Sequence, residues 1–178
     1  MERKELSKLE LFVGTFKTKK SLINFDEIKT YLLKSVVLLP ITKEKRLNGI
    51  KVKWERNIHW LYEYIRDQFS KHNNLRQLYL SGDYEALISK PDELHPTIND
   101  INIYDLDGSP DYTILFPLNG KATVSLYYDD NRHKDKIWSV DIDKDRYLTF
   151  SSSIKYDISK NDDRENRIIL KLKAQTID

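Results

Sequence analysis

The 178-residue sequence has no cysteine, a single methionine, and only five glycines and five prolines. Without cysteine there are no disulfides, thiol nucleophiles or cysteine-ligated zinc or iron–sulfur sites, which fits a reducing, cytoplasmic setting. The few glycines are scattered, so no Gly-rich loop is available to cradle a phosphate. No run approaches the roughly 18 uninterrupted apolar residues of a membrane span, and the charged start "MERKELSKLELFVG" lacks an apolar signal core. A cytoplasmic protein with no membrane contact is expected.

What is present is ordinary in bulk and uneven in placement. Hydrophobic residues make up 39% and charged residues 33%, enough apolar material for a real core in one domain. The net charge of +2 conceals a polarity: residues 1–90 carry 18 Lys/Arg against 11 Asp/Glu, and residues 91–178 carry 12 against 17. Such a dipole favours head-to-tail assembly or an oppositely charged partner. Eleven tyrosines and three tryptophans supply core and, where exposed, interface material.

Helical periodicity is confined to the first half. "FDEIKTYLLKSVVLL" (25–39) puts Phe25, Ile28, Leu32 and Val36 on one face, with Asn24 as N-cap, Asp26 and Glu27 in the first turn, and Pro40 as the stop. "ERNIHWLYEYIRDQFSKH" (55–72) repeats Ile58, Leu61, Tyr62, Ile65 and Phe69 at helical spacing. "DYEALIS" (83–89) reads as a short helix before Pro91, and "KEKRLNGIKVK" (43–53) holds an Asn-Gly turn signal.

From residue 98 the period becomes two. Strands are predicted at 98–104, 112–118, 121–128, 136–142, 146–150, 154–158 and 166–172, with a hairpin turn at Asn119-Gly120. Seven short strands with intervening turns predict a sandwich or jelly-roll barrel. The fold class is therefore α+β: one domain over 1–178, mainly helical over 1–92, a β-barrel over 93–178, with the helices packed on the barrel.

The turn-centred stretch "PLNGKATVSLYYDD" resembles part of the iron- and 2-oxoglutarate-dependent oxygenases of the hydroxylase type, often phage-encoded. "DRYLTFSSSIKYDISKNDDRENRIILKLK" is similar to their closing segment, where a strand delivers a His, a loop follows and an Arg opens the last strand. The resemblance spans about residues 95–173 and implies a double-stranded β-helix. It also implies Fe(II) held by two His and a carboxylate, with 2-oxoglutarate as cosubstrate. The region of the family's His-x-Asp pair reads "TINDINIYDLDGS" here, with Asn102, Tyr104, Asp105 and Asp107 and no His. The distal His position holds Tyr156, and Arg167 alone matches, where the family's Arg grips the cosubstrate carboxylate. An amide and a phenol cannot replace two imidazoles on Fe(II). The resemblance thus implies a retained fold with a lost metal centre: no cofactor, and binding or assembly with a protein partner or with itself, in a phage or viral setting.

Two other readings stay open. His95, with Asp92, Glu93 and Asp100 near it in sequence, would form a displaced metal site with His133 if their loops converge, and Arg167 would then hold the cosubstrate. Alternatively, Lys43, Lys45, Arg46, Lys51, Lys53 and Arg56, interleaved with Trp54, would track nucleic-acid phosphates while the indole stacks on a base. His59 and His72 read as helix surface. "DLDGS" and "DIDKDR" lack the frame of a calcium loop and read as solvated turns, and "SSS" (151–153) as a bend.

Overall fold

Most of the apolar alternation in this chain is satisfied by strands distant in sequence. The computed structural model describes residues 11–16, 23–37, 41–53, 55–72, 77–80, 84–128 and 136–177. In chain order these form β1 (Leu11–Thr15), α1 (Phe25–Val37), α2 (Lys43–Asn48), β2 (Ile50–Val52), α3 (Arg56–His72), β3 (Gln77–Leu80) and β4 (Tyr84–Ser89). There follow β5 (Tyr112–Pro117), β6 (Ala122–Tyr128), β7 (Lys136–Ile142), β8 (Arg146–Ser151), β9 (Lys155–Ile158) and β10 (Arg167–Ile177).

The strands make two antiparallel sheets. The major one runs β1-β8-β5-β10-β4-β2, with β3 pairing the far end of β10, and the minor one runs β7-β6-β9. The sheets face each other across a core of Leu87, Leu115, Val124, Leu126, Val140, Leu148, Phe150, Tyr156 and Ile169. The outer face of the major sheet is covered by α1 and α3. There Ile28, Leu32, Ile58, Leu61, Tyr62, Ile65 and Phe69 meet Ile114, Phe116, Ile168 and Leu170. This is an α+β, jelly-roll-like architecture with helices packed on one wall.

Local chemistry accounts for the helix starts. Asn24 Oδ1 accepts the Glu27 amide of α1 at 3.2 Å, so the predicted cap is formed. Glu55 does the same for α3, accepting the Ile58 amide at 3.0 Å. Pro40 lies outside the described residues.

Four expectations are corrected. Residues 84–89 form a strand, not a helix: Tyr84, Ala86 and Ile88 face the helices, Leu87 faces the barrel, and pairing with β10 overrides the helical preference of Glu-Ala-Leu. With β1, β2 and β3 as well, the first half is a mixture of helix and strand rather than helix followed by sheet. The predicted 98–104 strand is reduced to a single bridge between Ile98 and Tyr156. Beyond it the side chains of Asn99 and Asn102 take the amides of Ile101 and Tyr104, diverting the backbone from any ladder.

Asn119-Gly120 is not a hairpin turn. β5 pairs with β10 and β8, whereas β6 pairs with β7 and β9, so this corner carries the chain between sheets. Asn119 accepts the Ile168 amide at 2.9 Å and donates to Asn166 O at 2.7 Å, and Gly120 takes φ 71°. Likewise Asn48-Gly49 closes α2: Gly49, at φ 128°, donates to Lys45 O at 3.0 Å.

Candidate functional site

The barrel-facing side of the major sheet changes character along its strands. Toward one end it presents Leu87, Leu115 and Ile169. Two to four residues further along, β4, β5 and β10 present Glu85, Thr113, Lys171 and Lys173. Lys171 is only 2% exposed, so its charge must be met inside the protein.

It is met by two carboxylates. Lys171 Nζ lies 2.7 Å from Glu85 Oε2, donates to Asp100 Oδ1 at 2.8 Å, and reaches Asn48 O at 3.4 Å. Lys173 Nζ donates to Glu85 Oε1 at 2.8 Å and stands 3.8 Å from Asp100 Oδ1. The other Asp100 oxygen accepts from Thr113 Oγ1 at 2.8 Å and from Tyr156 Oη at 3.1 Å. Because Thr113 has one hydroxyl proton and gives it to Asp100, Ser152, at 2.9 Å, is the donor to Thr113. Two ammonium groups against two carboxylates leave the cluster neutral, with every oxygen of Asp100 occupied.

The titration behaviour follows. Burial opposes the charge on Lys171, yet Asp100 and Glu85 together hold its pKa above the ordinary lysine value. Burial alone would raise Asp100, but Lys171 outweighs it and the carboxyl is held below its usual range. Burial, then the charge and hydrogen bond of Asp100, push the Tyr156 hydroxyl well above its ordinary value, so it stays a phenol. Gly49 makes room for the arrangement: a Cβ there would lie 2.7 Å from Glu85 Oε2.

The predicted candidates are distributed differently. Asp100 and Tyr156 do meet, although Asp100 lies 56 residues earlier in the chain. Tyr104 is 92% exposed and far from a ligand role, while Asn102 and Asp105 are spent on the Tyr104 and Gly108 amides. His95 is buried beneath α2, its Nδ1 2.9 Å from Leu47 O, and burial lowers its pKa to about 4. His95 and Asp100 are thus engaged by separate partners, and His133 lies outside the described residues. Among the described residues no cluster of three His, Cys, Asp or Glu side chains could hold a metal.

Arg167 opens β10 as expected but uses its fork on the backbone. It donates to Lys121 O at 3.0 Å, to Lys160 O at 3.2 Å and to Ser159 O, fastening the β9–β10 loop. These residues do not fit Fe(II) with 2-oxoglutarate. The carboxylate already holds an ammonium, the phenol stays protonated, and both terminal nitrogens of the arginine are taken by backbone carbonyls, with only its buried Nε unpaired. Two surface concavities of about 460 and 470 Å³ lie elsewhere, one around Phe12, Gly14, Phe69 and Tyr147, the other around Thr123, Asp141, Ser159 and Asp163.

Of the nucleic-acid candidates, Arg46 is withdrawn from solvent. It pairs with both oxygens of Glu93 at 2.9 Å and donates to Ile88 O at 3.0 Å; the pairing holds Glu93 at about 2. Lys43 and Lys45 on α2, Lys51 on β2 and Lys53 just after it are exposed, and Trp54 lies outside the described residues. The basic surface therefore lacks its central guanidinium.

Sequence reasoning missed Lys171, Glu85 and Thr113. The one available signal was that Lys171 and Lys173 share their period with Ile169 in "RIILKLKA", a strand apolar on its other face throughout.

No protein-family model matches the chain, and no curated protein matches it in sequence. In fold it is similar to solved prolyl hydroxylases, which have an oxygenase-type barrel. A prolyl hydroxylase from Trichoplax adhaerens, solved in complex with a peptide fragment of the hypoxia inducible factor oxygen degradation domain, superposes with a TM-score of 0.61 at 15% identity. It covers 93% of this chain and 83% of that one. A Pseudomonas putida prolyl-4-hydroxylase gives 0.51 at 9% identity, covering 94% and 87%.

Proposed function

We propose that this protein is a non-catalytic binding or assembly module on an oxygenase-type barrel, in a phage or viral setting, and that residues 101–109 form its partner-facing edge. The observation that carries this reading is a hydrogen-bonded loop that holds three large apolar side chains in water. Ile103, Tyr104 and Leu106 are 69%, 92% and 66% exposed. The frame beneath them is hydrogen-bonded throughout: Ser109 Oγ donates to Asp105 O and accepts from Asn102 N, and Gln175 Nε2 reaches Asp107 O and Ser109 O. A loop already ordered loses little entropy on docking, and three large apolar groups held in water favour being covered.

The neighbourhood supports the same surface. Trp138, 57% exposed, lies at the same end of the barrel through the register Trp138–Leu126–Tyr156–Ile98. The loop's Asp105 and Asp107 favour a partner that combines apolar and basic residues. That the Trichoplax neighbour was solved with a peptide makes a polypeptide ligand a reasonable class for this fold.

The test is photocrosslinking in the protein's native cell, with p-benzoylphenylalanine at position 104 or, as control, at exposed Lys144 at the other end of β8. A discrete polypeptide adduct at 104 and none at 144 is expected. No adduct at 104, or the same smear at both, would count against the reading.

A further inference from the structure

We infer that the Lys171 ammonium is a built-in cation that keeps the barrel interior from taking up a metal, and that removing it exposes a divalent-cation site made of Asp100 and Glu85. This concerns the interior and stands apart from the partner-facing loop.

The geometry has three parts. First, Lys171 Nζ touches oxygens from three separate elements: Glu85 of β4, Asp100 before β5 and Asn48 at the end of α2. A point charge surrounded by two carboxylates and a carbonyl has the surroundings of a hard metal ion, which prefers oxygen donors of this kind. Second, the surroundings are fixed by groups other than the lysine. Thr113 and Tyr156 hold the second Asp100 oxygen, and Lys173 holds the second Glu85 oxygen. Deleting the ammonium would therefore leave both carboxylates aimed at one space rather than collapsed. Third, the side chains of Lys171 and Asp100 are 3% and 2% exposed, so like charges left facing each other there have little water to screen them. A divalent cation satisfies that demand.

The donor set also says which ions would enter. It offers oxygen only, with no imidazole or thiolate, and so suits Mn(II), Mg(II) or Ca(II) better than Fe(II). The interior carries its positive charge covalently, at the end of a β10 side chain.

Mn(II) is the probe, read by electron paramagnetic resonance and by thermal unfolding with and without the ion. Because Lys173 stands 3.8 Å from Asp100 and could swing inward, the variant is Lys171→Ala/Lys173→Gln, in which the uncharged amide at 173 can still donate to the second Glu85 oxygen. It is expected to bind one Mn(II) at least roughly tenfold more tightly than the wild type, with a raised melting temperature. Adding Asp100→Asn abolishes this, and Lys171→Met/Lys173→Gln, which fills the space with an uncharged chain, does not gain it. If the variant is unfolded without metal, Mn(II) restores its circular dichroism. The inference is overturned by Asp100-dependent Mn(II) binding in the wild type. It is equally overturned by a folded variant that binds none, or by an unfolded one that millimolar Mn(II) does not rescue.

Discussion

The two faces of the major sheet bury their side chains in opposite ways. Toward the helices, β4, β5 and β10 present Tyr84, Ala86, Ile88, Ile114, Phe116, Ile168, Leu170 and Leu172, an apolar layer closed by α1 and α3. Toward the barrel, the same strands present Leu87, Leu115 and Ile169, then Glu85, Thr113, Lys171 and Lys173. The first layer is held by non-directional burial, which tolerates many side chains of the right size. The second is held by directed contacts among four charges, and losing any one leaves another uncompensated. A single strand can thus be robust on one side and exacting on the other.

That contrast can be tested by breaking each layer once. Phe116 is fully buried, stacked on Phe25 with centroids 5.4 Å apart and near Phe16 and Tyr147. Phe116→Ala is expected to cost about 3–5 kcal/mol in urea unfolding, nearly independent of pH. Asp100→Ala removes the partner of Lys171, Thr113 and Tyr156, and should cost about 3 kcal/mol at neutral pH, since Glu85 still faces the lysine. The folded-state pKa of Asp100 is depressed, so its contribution is present above the unfolded carboxylate range and lost as pH falls through the folded value. The penalty of Asp100→Ala should therefore shrink below about pH 4, whereas that of Phe116→Ala should not. Equal pH dependence of the two would dissolve the distinction.

A smaller effect sharpens it. His95 is buried neutral, with Arg46, Arg167 and Glu93 around it, and its pKa falls from 6.5 to about 4. Above 6.5 neither state carries the extra proton; between 6.5 and 4 the unfolded chain binds it and the folded one does not. Stability should drop by roughly 2–3 kcal/mol across that window as the solution is acidified. In His95→Gln, where an amide can still donate to Leu47 O, the slope between pH 6.5 and 4 should flatten. An unchanged slope would place the acid sensitivity elsewhere, with Glu93 acting only below about 4.5.

The elements with a strong period were legible. Ile58, Leu61, Tyr62, Ile65 and Phe69 line the buried face of α3, and Ala122, Val124 and Leu126 the inner face of β6. Segment 84–89 misled because both faces of β4 are buried, which erases the alternation that marks a strand. Asn119-Gly120 misled because the sequence of a tight turn is the same whether the next strand pairs with the last one or leaves for another sheet. Of the site, Asp100 was singled out as a displaced metal ligand, Arg167 as a cosubstrate grip and Tyr156 as the residue in place of the distal His; in the structure Asp100 meets Tyr156 and Lys171, and Arg167 holds backbone carbonyls. Lys171 was passed over because a lysine between two leucines reads as the wet side of a strand.

The sequence by itself determined what short-range physics can encode: the two long helices and the N-cap of the first, the alternating strands, the absence of thiol chemistry, and a jelly-roll class. Only the tertiary structure decided which side of β10 is inside, that Asp100 finds Lys171 across 71 residues, and that Arg167 turns to its own backbone. The reason is physical. Periodicity and capping act over a few residues, but the burial of a charge depends on what else arrives in the same space, and that is settled when the sheets close.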